Sequence, residues 1–359
     1  MIKYFRLLLL PFSLIYGLVV LLRNKMYDFG LFKSASFDLP VICVGNLVVG
    51  GSGKSPVTEY LVRLLSDYKI AILSRGYGRE TKGFLYADEH STAKSVGDEP
   101  LQFYHKFPHI TVAVCEDRVT GINRLKDSHE LIILDDAYQH RKVKPGLSIL
   151  LFEFQQFFSP QFLLPAGNLR EPYHGYQRAD ILLVTKAPES LLPAQKKKCL
   201  SRFSKSVENK LFFSSIQYGD LKSIGGDETL SCEQINGKTV FLLTGIANPK
   251  PLVNYLQRFS AVMIHHDYPD HHQFSSGNLI KLVDAFARHP AKEKIIITTE
   301  KDAQRLFDVT IKELLLNLPV FYLPIKISVK ADEQTKFDQK ILNYVSDTAR
   351  NRRIYNKEN

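Results

Sequence analysis

The chain opens on an uncharged apolar run, LLLLPFSLIYGLVVLL (residues 7–22), with Lys3 and Arg6 before it and Arg23 and Lys25 after it. A helix rises about 1.5 Å per residue, so this run covers about 24 Å, short of the roughly 30 Å hydrocarbon core of a bilayer. Pro11 and Gly17 weaken a straight span further. The pattern predicts a membrane-associated helix over residues 1–25, lying in or dipping into one leaflet with its basic flanks on anionic headgroups. Spanning or lying stays open on this pattern, and a buried core helix is the competing reading. A secretory signal needs a small-x-small cleavage site, and RNKMYDFG after the run offers none.

Beyond the run, short apolar stretches bounded by turn residues alternate with segments of helical spacing. Strands are predicted at 41–44 (VICV), 70–73, 110–115, 131–134, 147–151 and 181–184, with a helix over 57–66. Continuous apolar strands separated by helix-length segments indicate an α/β fold with a mostly parallel sheet covered on both faces. A second series begins near Val240, with strands at 240–243, 295–297 and 320–323 and helices at 251–259 and 278–288. The expected organisation is a P-loop NTPase-like domain over 26–217, a polar linker over 218–230, a smaller α/β domain over 231–345 and a frayed basic tail over 346–359.

Composition changes this picture in two ways. The formal net charge of +10 suits an anionic partner such as a nucleotide, a phosphorylated substrate or a phospholipid surface. It would also suit nucleic acid, but no recognition module for one is visible, and no nucleic-acid partner is expected. Cys43, Cys115, Cys199 and Cys232 form neither a C-x-x-C pair nor a zinc spacing, so reduced thiols are expected.

The candidate chemistry begins at CVGNLVVGGSGKSP (residues 43–56), which follows a predicted strand and precedes a predicted helix. Gly50, Gly51 and Gly53 permit close backbone approach, so that N–H groups from Val48 to Ser55, with Val49 and Ser52 among them, can cradle the phosphates of ATP. Lys54 would sit on the β- and γ-phosphates, and the Ser55 hydroxyl would face Mg²⁺. The general pattern G-x-x-x-x-G-K-[ST] asks for glycine where Val48 stands. Further along, HELIILDDAYQH (129–140) is a hydrophobic strand ending in Asp135 and Asp136. Adjacent carboxylates repel unless a cation offsets them, and either could hold Mg²⁺.

With both elements in view the chain resembles the tetraacyldisaccharide 4′-kinase family, the lipid A 4′-kinases. The matching segments run in order through most of the chain: VGNLVVGGSGKSP, LSRGYGR, VGDEP, DR (Asp117 and Arg118), LDDAYQH, LLPAGNLREP, LLVTKAP, LLTGIANP, YPDHHQF and TTEKDAQRL. Val48 then fits the family's own loop. The resemblance implies transfer of the ATP γ-phosphoryl group to the 4′-hydroxyl of a lipid A disaccharide 1-phosphate. It also implies peripheral attachment to the cytoplasmic face of a Gram-negative inner membrane; a monomer is expected, though nothing in the sequence fixes the oligomeric state.

The same resemblance places further residues. Asp98 belongs at the catalytic centre, paired with His271 from the DHH segment or, less expectedly, His272. Such a pair can orient the sugar hydroxyl and accept its proton. Arg170 would neutralise charge on the transferring group, and Glu171 would help hold Mg²⁺. Arg75 and Arg79 could contact phosphate or sugar. A membrane-associated P-loop GTPase or ATPase switch is the alternative. TKAP at 185–188 occupies the place of a guanine-reading N-K-x-D, but Pro188 supplies no carboxylate.

Overall fold

The computed structural model of the chain describes residues 6–204, 207–260, 262–270, 272–306, 314–315 and 317–358. The first sheet starts with β1 (Val41–Asn46), β2 (Ile70–Ser74), β3 (Leu85–Tyr86), β4 (Thr111–Val114), β5 (Leu131–Asp135), β6 (Leu147–Glu153), β7 (Ile181–Thr185) and β8 (Leu211–Tyr218). The second holds β9 (Leu221–Ser223), β10 (Thr229–Leu230), β11 (Thr239–Thr244), β12 (Val262–Asp267), β13 (Lys294–Thr299) and β14 (Val320–Leu323). The chain then returns to the first sheet as β15 (Ile325–Val329), antiparallel to β8.

The order of the first sheet is β15-β8-β7-β6-β1-β5-β2-β4-β3. Both faces are covered, which is why β1 reads VICVGN without an exposed position. Val41 and Cys43 enter one core and Ile42 and Val44 the other, as alternating side chains must. β1 lies between β5 and β6, while the chain leaving it goes by way of the helix Lys54–Leu64 to β2, beyond β5. That makes the carboxyl end of β1 a topological switch point, where open α/β sheets bind ligands. Register Val44↔Asp135 sets the end of β5 beside the loop leaving β1.

The expected domain limits need correction. The proposed linker at 218–230 contains β9 and β10, so the second sheet begins inside it. The second unit does not run to 345. β15 and the helix Ala331–Glu358 belong to the first sheet, and Phe337, Ile341 and Val345 are buried in its core. Their spacing of four puts them on one helix face. The expected basic tail is the end of that helix, and Arg352 donates to the carbonyls of Lys126 and His129. Six strands escaped the sequence reading, among them the two- and three-residue β3, β9 and β10. β8 carries a serine pair in its middle, β12 carries His265 and His266, and β15 alternates polar with apolar positions.

The N-terminal helix Leu10–Asp28 is inverted in polarity. It buries Ser13, Gly17 and Asn24 and exposes Phe12, Leu14, Ile15, Leu18, Val19 and Leu22. Its inner face is fixed by polar contacts: Ser13 donates to the Leu163 carbonyl at 3.0 Å and Tyr16 to that of Arg170 at 2.7 Å. Gly17 is where the helix comes closest, since a Cβ there would lie 2.6 Å from Leu163 Cδ1. Among the described residues no helix is long and apolar enough to cross a membrane.

Candidate active site

The glycine loop is braced from several strands. Asn46 Nδ2 at the end of β1 donates to Ser52 Oγ at 2.6 Å, and Thr185 Oγ1 at the end of β7 donates to the Ser52 carbonyl at 2.7 Å. Lys186 Nζ donates to the Gly51 carbonyl. Gly53 caps the helix with φ 83°, a left-handed conformation that a side chain disfavours. The start of the loop is paired with the LLPAGNLREP segment: Val49 N–H donates to Asn168 O and Arg170 N–H to Leu47 O, at 2.8 and 2.7 Å. Residues from Val49 to Ser55 line one large cleft of ≈ 1680 Å³. Val48 does not line that cleft: its side chain is buried in the core and its backbone forms a β-bridge with Leu169.

Lys54 and Arg170 converge on Asp136. Lys54 Nζ stands 3.8 Å from Asp136 Oδ1, and Arg170 Nη1 donates to both carboxylate oxygens at 2.9 and 3.0 Å. Asp136 itself holds a positive φ of 47°, a sparsely populated conformation that turns its side chain away from the line of β5. Asp135 also lines the cleft but faces Thr58 and Ser74. It is buried and accepts long hydrogen bonds from Thr58 at 3.4 Å and Ser74 at 3.3 Å. Burial first, then the charges of Glu99 and Asp136, push its carboxyl up to about 7 against Lys54 and Arg118.

That shift has a consequence for stability. A carboxyl raised in the folded chain keeps a proton that the unfolded chain has already released. Its stabilising contribution is complete below the ordinary value of 3.8 and is lost as pH rises through about 7. In protein free of nucleotide and divalent cations, Asp135→Asn is expected to raise the melting temperature at about pH 8 by several degrees and to change it little at about pH 4. A variant that melts below the parent at about pH 8 would contradict this reading.

The donor set suits Mg²⁺ in one respect. Ser55 Oγ donates to Glu99 Oε1 at 3.0 Å, so a hydroxyl and three carboxylates, Glu99, Asp135 and Asp136, gather at the loop's exit. Among the described residues no group of three or more His, Cys, Asp or Glu side chains forms a metal cage. Mg²⁺ takes one or two carboxylates together with substrate phosphates, and needs no such cage. Glu171 lines the same cleft. Its carboxylate is buried, accepting from Arg178 at 2.8 Å, Asn24 at 3.1 Å and Gln139 at 3.0 Å. Through Asn24 it ties the N-terminal helix to the site. The sequence could not show that Arg178, in a short turn seven residues later, folds back onto it.

Asp98 begins the helix Asp98–Lys106 and is not its cap; Gly97 stands there with φ 97°. A Cβ on Gly97 would lie 3.1 Å from the Tyr77 carbonyl, so the SRGYGR and VGDEP turns abut through glycine. Asp98 lines the cleft and is paired with Arg305 of the second sheet's helix Glu300–Leu306, Nη2 to Oδ2 at 2.6 Å. His271 lies outside the described residues. His272 stacks on Tyr268 and bonds Asn278 at 3.0 Å through Nε2. His265 and His266 sit in strand β12. Arg75 lines the cleft, whereas Arg79 is spent on Glu116 at 2.6 Å and on Gly83 O.

Several lining residues were missed in the sequence. Glu99 was visible as the second acid of VGDEP. Arg118, buried beside Asp135 and Asp136, was visible only as part of a resemblance. Tyr16, Val20 and Arg23 reach the cleft from the N-terminal helix, and nothing local signals that. The four cysteines are all buried and free, and burial pushes the Cys43 thiol up to about 12.

A mostly parallel sheet with a strand, glycine loop and helix at its switch point, with lysine facing Asp136 and serine facing Glu99, defines a nucleotide-binding protein of the P-loop class. Comparison with known proteins narrows this. The family profile for tetraacyldisaccharide-1-P 4′-kinase matches residues 5–346. The tetraacyldisaccharide 4′-kinase of Bacteroides thetaiotaomicron is 42% identical, covering 98% of this chain and 96% of its own. That of Flavobacterium johnsoniae is 44% identical, covering 95% and 98%. A crystal structure of LpxK from Aquifex aeolicus, described as an "apo" form in complex with ATP, is similar with a TM-score of 0.72 at 31% identity, covering 95% of this chain and 99% of that one. The chain belongs to the tetraacyldisaccharide 4′-kinase family.

Proposed function

We propose that the protein is an ATP-dependent kinase that transfers the γ-phosphoryl group of ATP to the 4′-hydroxyl of a tetraacyldisaccharide 1-phosphate, a step of lipid A biosynthesis. The observation that carries this reading is the continuity of the cleft. One depression runs from the glycine loop past Asp98 and Asp136 to Tyr16, Val20 and Arg23 of a helix whose outer face is apolar. A nucleotide at one end and a membrane-held glycolipid at the other can therefore meet.

Phosphoryl transfer passes through a loose transition state, so the protein's contribution is positioning and charge. Loop N–H groups and Lys54 hold the phosphates, and Arg170, fixed by its backbone bond to Leu47 O, faces the transferring group. Asp98 orients the acceptor hydroxyl and takes its proton, with His271 as its expected partner and His272 as the other candidate. Mg²⁺, held by Ser55 and by Asp135 or Asp136, would neutralise charge between the β- and γ-phosphates. A GTPase switch is not favoured, since Pro188 stands where a guanine reader needs a carboxylate. The regiochemical test is direct. An acceptor whose 4′-hydroxyl is replaced by hydrogen should take no phosphate, while the parent acceptor is converted. Equal labelling of both would overturn the assignment.

We further infer peripheral attachment to the cytoplasmic face of the inner membrane through the N-terminal helix. Leu14, Ile15, Leu18, Val19 and Leu22 are each more than half exposed, and Arg23 and Lys25 follow them. Burying a leucine in the acyl boundary contributes about 1.5–3 kcal/mol. Leu14→Gln, Leu18→Gln and Leu22→Gln together are expected to lower association with anionic phospholipid vesicles by at least about 100-fold. Vesicle flotation equal to that of the parent would contradict the attachment.

A further inference from the structure

Arg305 lies at the junction of the two sheets and does not reach the cleft. Its side chain is 0% exposed. Nε and Nη2 both donate to Asp98 Oδ2, at 3.1 and 2.6 Å. Nη1 donates to Asp302 Oδ1 at 2.8 Å and to the carbonyls of Gly245 and His272 at 3.3 Å. Asp302 is pinned in turn, accepting from the Gly245 N–H at 3.0 Å and from Thr299 Oγ1 at 2.7 Å. The guanidinium is thus held on the second sheet's side by an aspartate and two carbonyls, and projects its remaining fork across the junction.

The same junction is laced along its length. Lys106 Nζ lies 2.7 Å from both Glu59 and Glu300, and His105 Nδ1 is 2.8 Å from Gln304 Oε1. Glu59 belongs to the helix that starts at Lys54. The helix carrying Asp98 is therefore seated at once on the second sheet's helix and on the glycine-loop helix. A buried ion pair is not by itself a strong source of stability, because desolvation offsets most of the attraction. A fork held from three sides is, however, an effective way to fix one carboxylate in angle and depth.

We propose that Arg305 is a positioning residue for phosphoryl transfer: it sets the Asp98 carboxylate in the orientation that receives the acceptor hydroxyl, so that the seating of the second sheet is transmitted to the reacting atoms. This rests on the reading of Asp98 given above. A guanidinium that only glued the two sheets together would change stability when replaced. It would not change turnover selectively.

The test uses the full-length chain, ATP and tetraacyldisaccharide 1-phosphate in detergent, with Arg305→Met, Arg305→Lys, Asp98→Asn and the double variant Asp98→Asn with Arg305→Met. Arg305→Met should lower kcat on the order of 100-fold while KM for ATP stays within about twofold, since misplacement by about 1 Å has that effect. Arg305→Lys keeps the charge without the fork and should recover about tenfold of the loss. The double variant should be no slower than Asp98→Asn alone, because nothing is left to position. A kcat for folded Arg305→Met within about threefold of the parent, or losses that multiply in the double variant, would overturn the proposal. If Arg305→Met does not fold, a parental kcat in Arg305→Lys overturns it. Near-parental turnover in Asp98→Asn would instead remove the reading of Asp98 on which the proposal stands.

Discussion

Lys54→Ala is expected to reduce phosphoryl transfer by at least about 100- to 1000-fold, the effect of removing one fixed donor from a site where charge develops. The physical reason is the isolation of that ammonium. It is 9% exposed, sits on the first turn after the glycine loop, and faces Asp136 at 3.8 Å. An alanine would leave the loop's N–H groups in place but remove the charge that follows the γ-phosphate into the transition state. ATP affinity should fall less than kcat, because the Asn46, Thr185 and Lys186 braces that shape the loop do not involve Lys54. Steady-state kinetics with ATP and the glycolipid acceptor measure both. Turnover within about tenfold of the parent would refute the role given to the loop.

The second large effect is at Asp98. Its removal is expected to lower kcat by about 100- to 10,000-fold, the range for losing a positioned general base, with little change in ATP affinity. The structure decides which variant is informative. Asp98→Ala removes one of the two carboxylates that pair with buried Arg305 and leaves its charge to Asp302 alone, which confuses instability with lost chemistry. Asp98→Asn keeps the volume and much of the hydrogen bonding and loses only the charge. Measured on protein whose melting temperature is known, it should show low kcat and near-parental nucleotide binding. A defect confined to ATP affinity would make Asp98 a structural residue of the helix start.

Strands buried on both faces announce themselves as unbroken apolar runs, so β1, β2, β5, β6 and β7 were legible, and so was the loop leaving β1. The carboxylates were legible as a strand ending in DD, but not their divergence. Asp136, at a positive φ, faces Lys54 and Arg170, while Asp135 faces Thr58 and Ser74. Long-range returns were not legible. β15 pairs with β8 about a hundred residues earlier in the chain, and no local period encodes a partner at that distance. Glu171 shows the same limit on a smaller scale. Its type and its place in NLREP suit a metal ligand, yet Arg178, Asn24 and Gln139 engage it.

The N-terminal helix shows the opposite case. Its apolar run was plain in the sequence, but the buried face is made of Ser13, Gly17 and Asn24, the residues a core-helix reading would place outside. Inversion of that pattern is what joins the apolar surface to the cleft. It makes the helix a wall of the site as well as a candidate anchor.

The account depends most on the glycine loop delivering a phosphoryl group to a lipid-borne sugar. The direct measurement is transfer of label from γ-labelled ATP to purified tetraacyldisaccharide 1-phosphate by the parent chain, followed by separation of lipid from nucleotide. The account predicts label in the glycolipid, dependent on both ATP and acceptor and absent with Lys54→Ala. Label released only as inorganic phosphate, at a rate indifferent to the glycolipid, would contradict it.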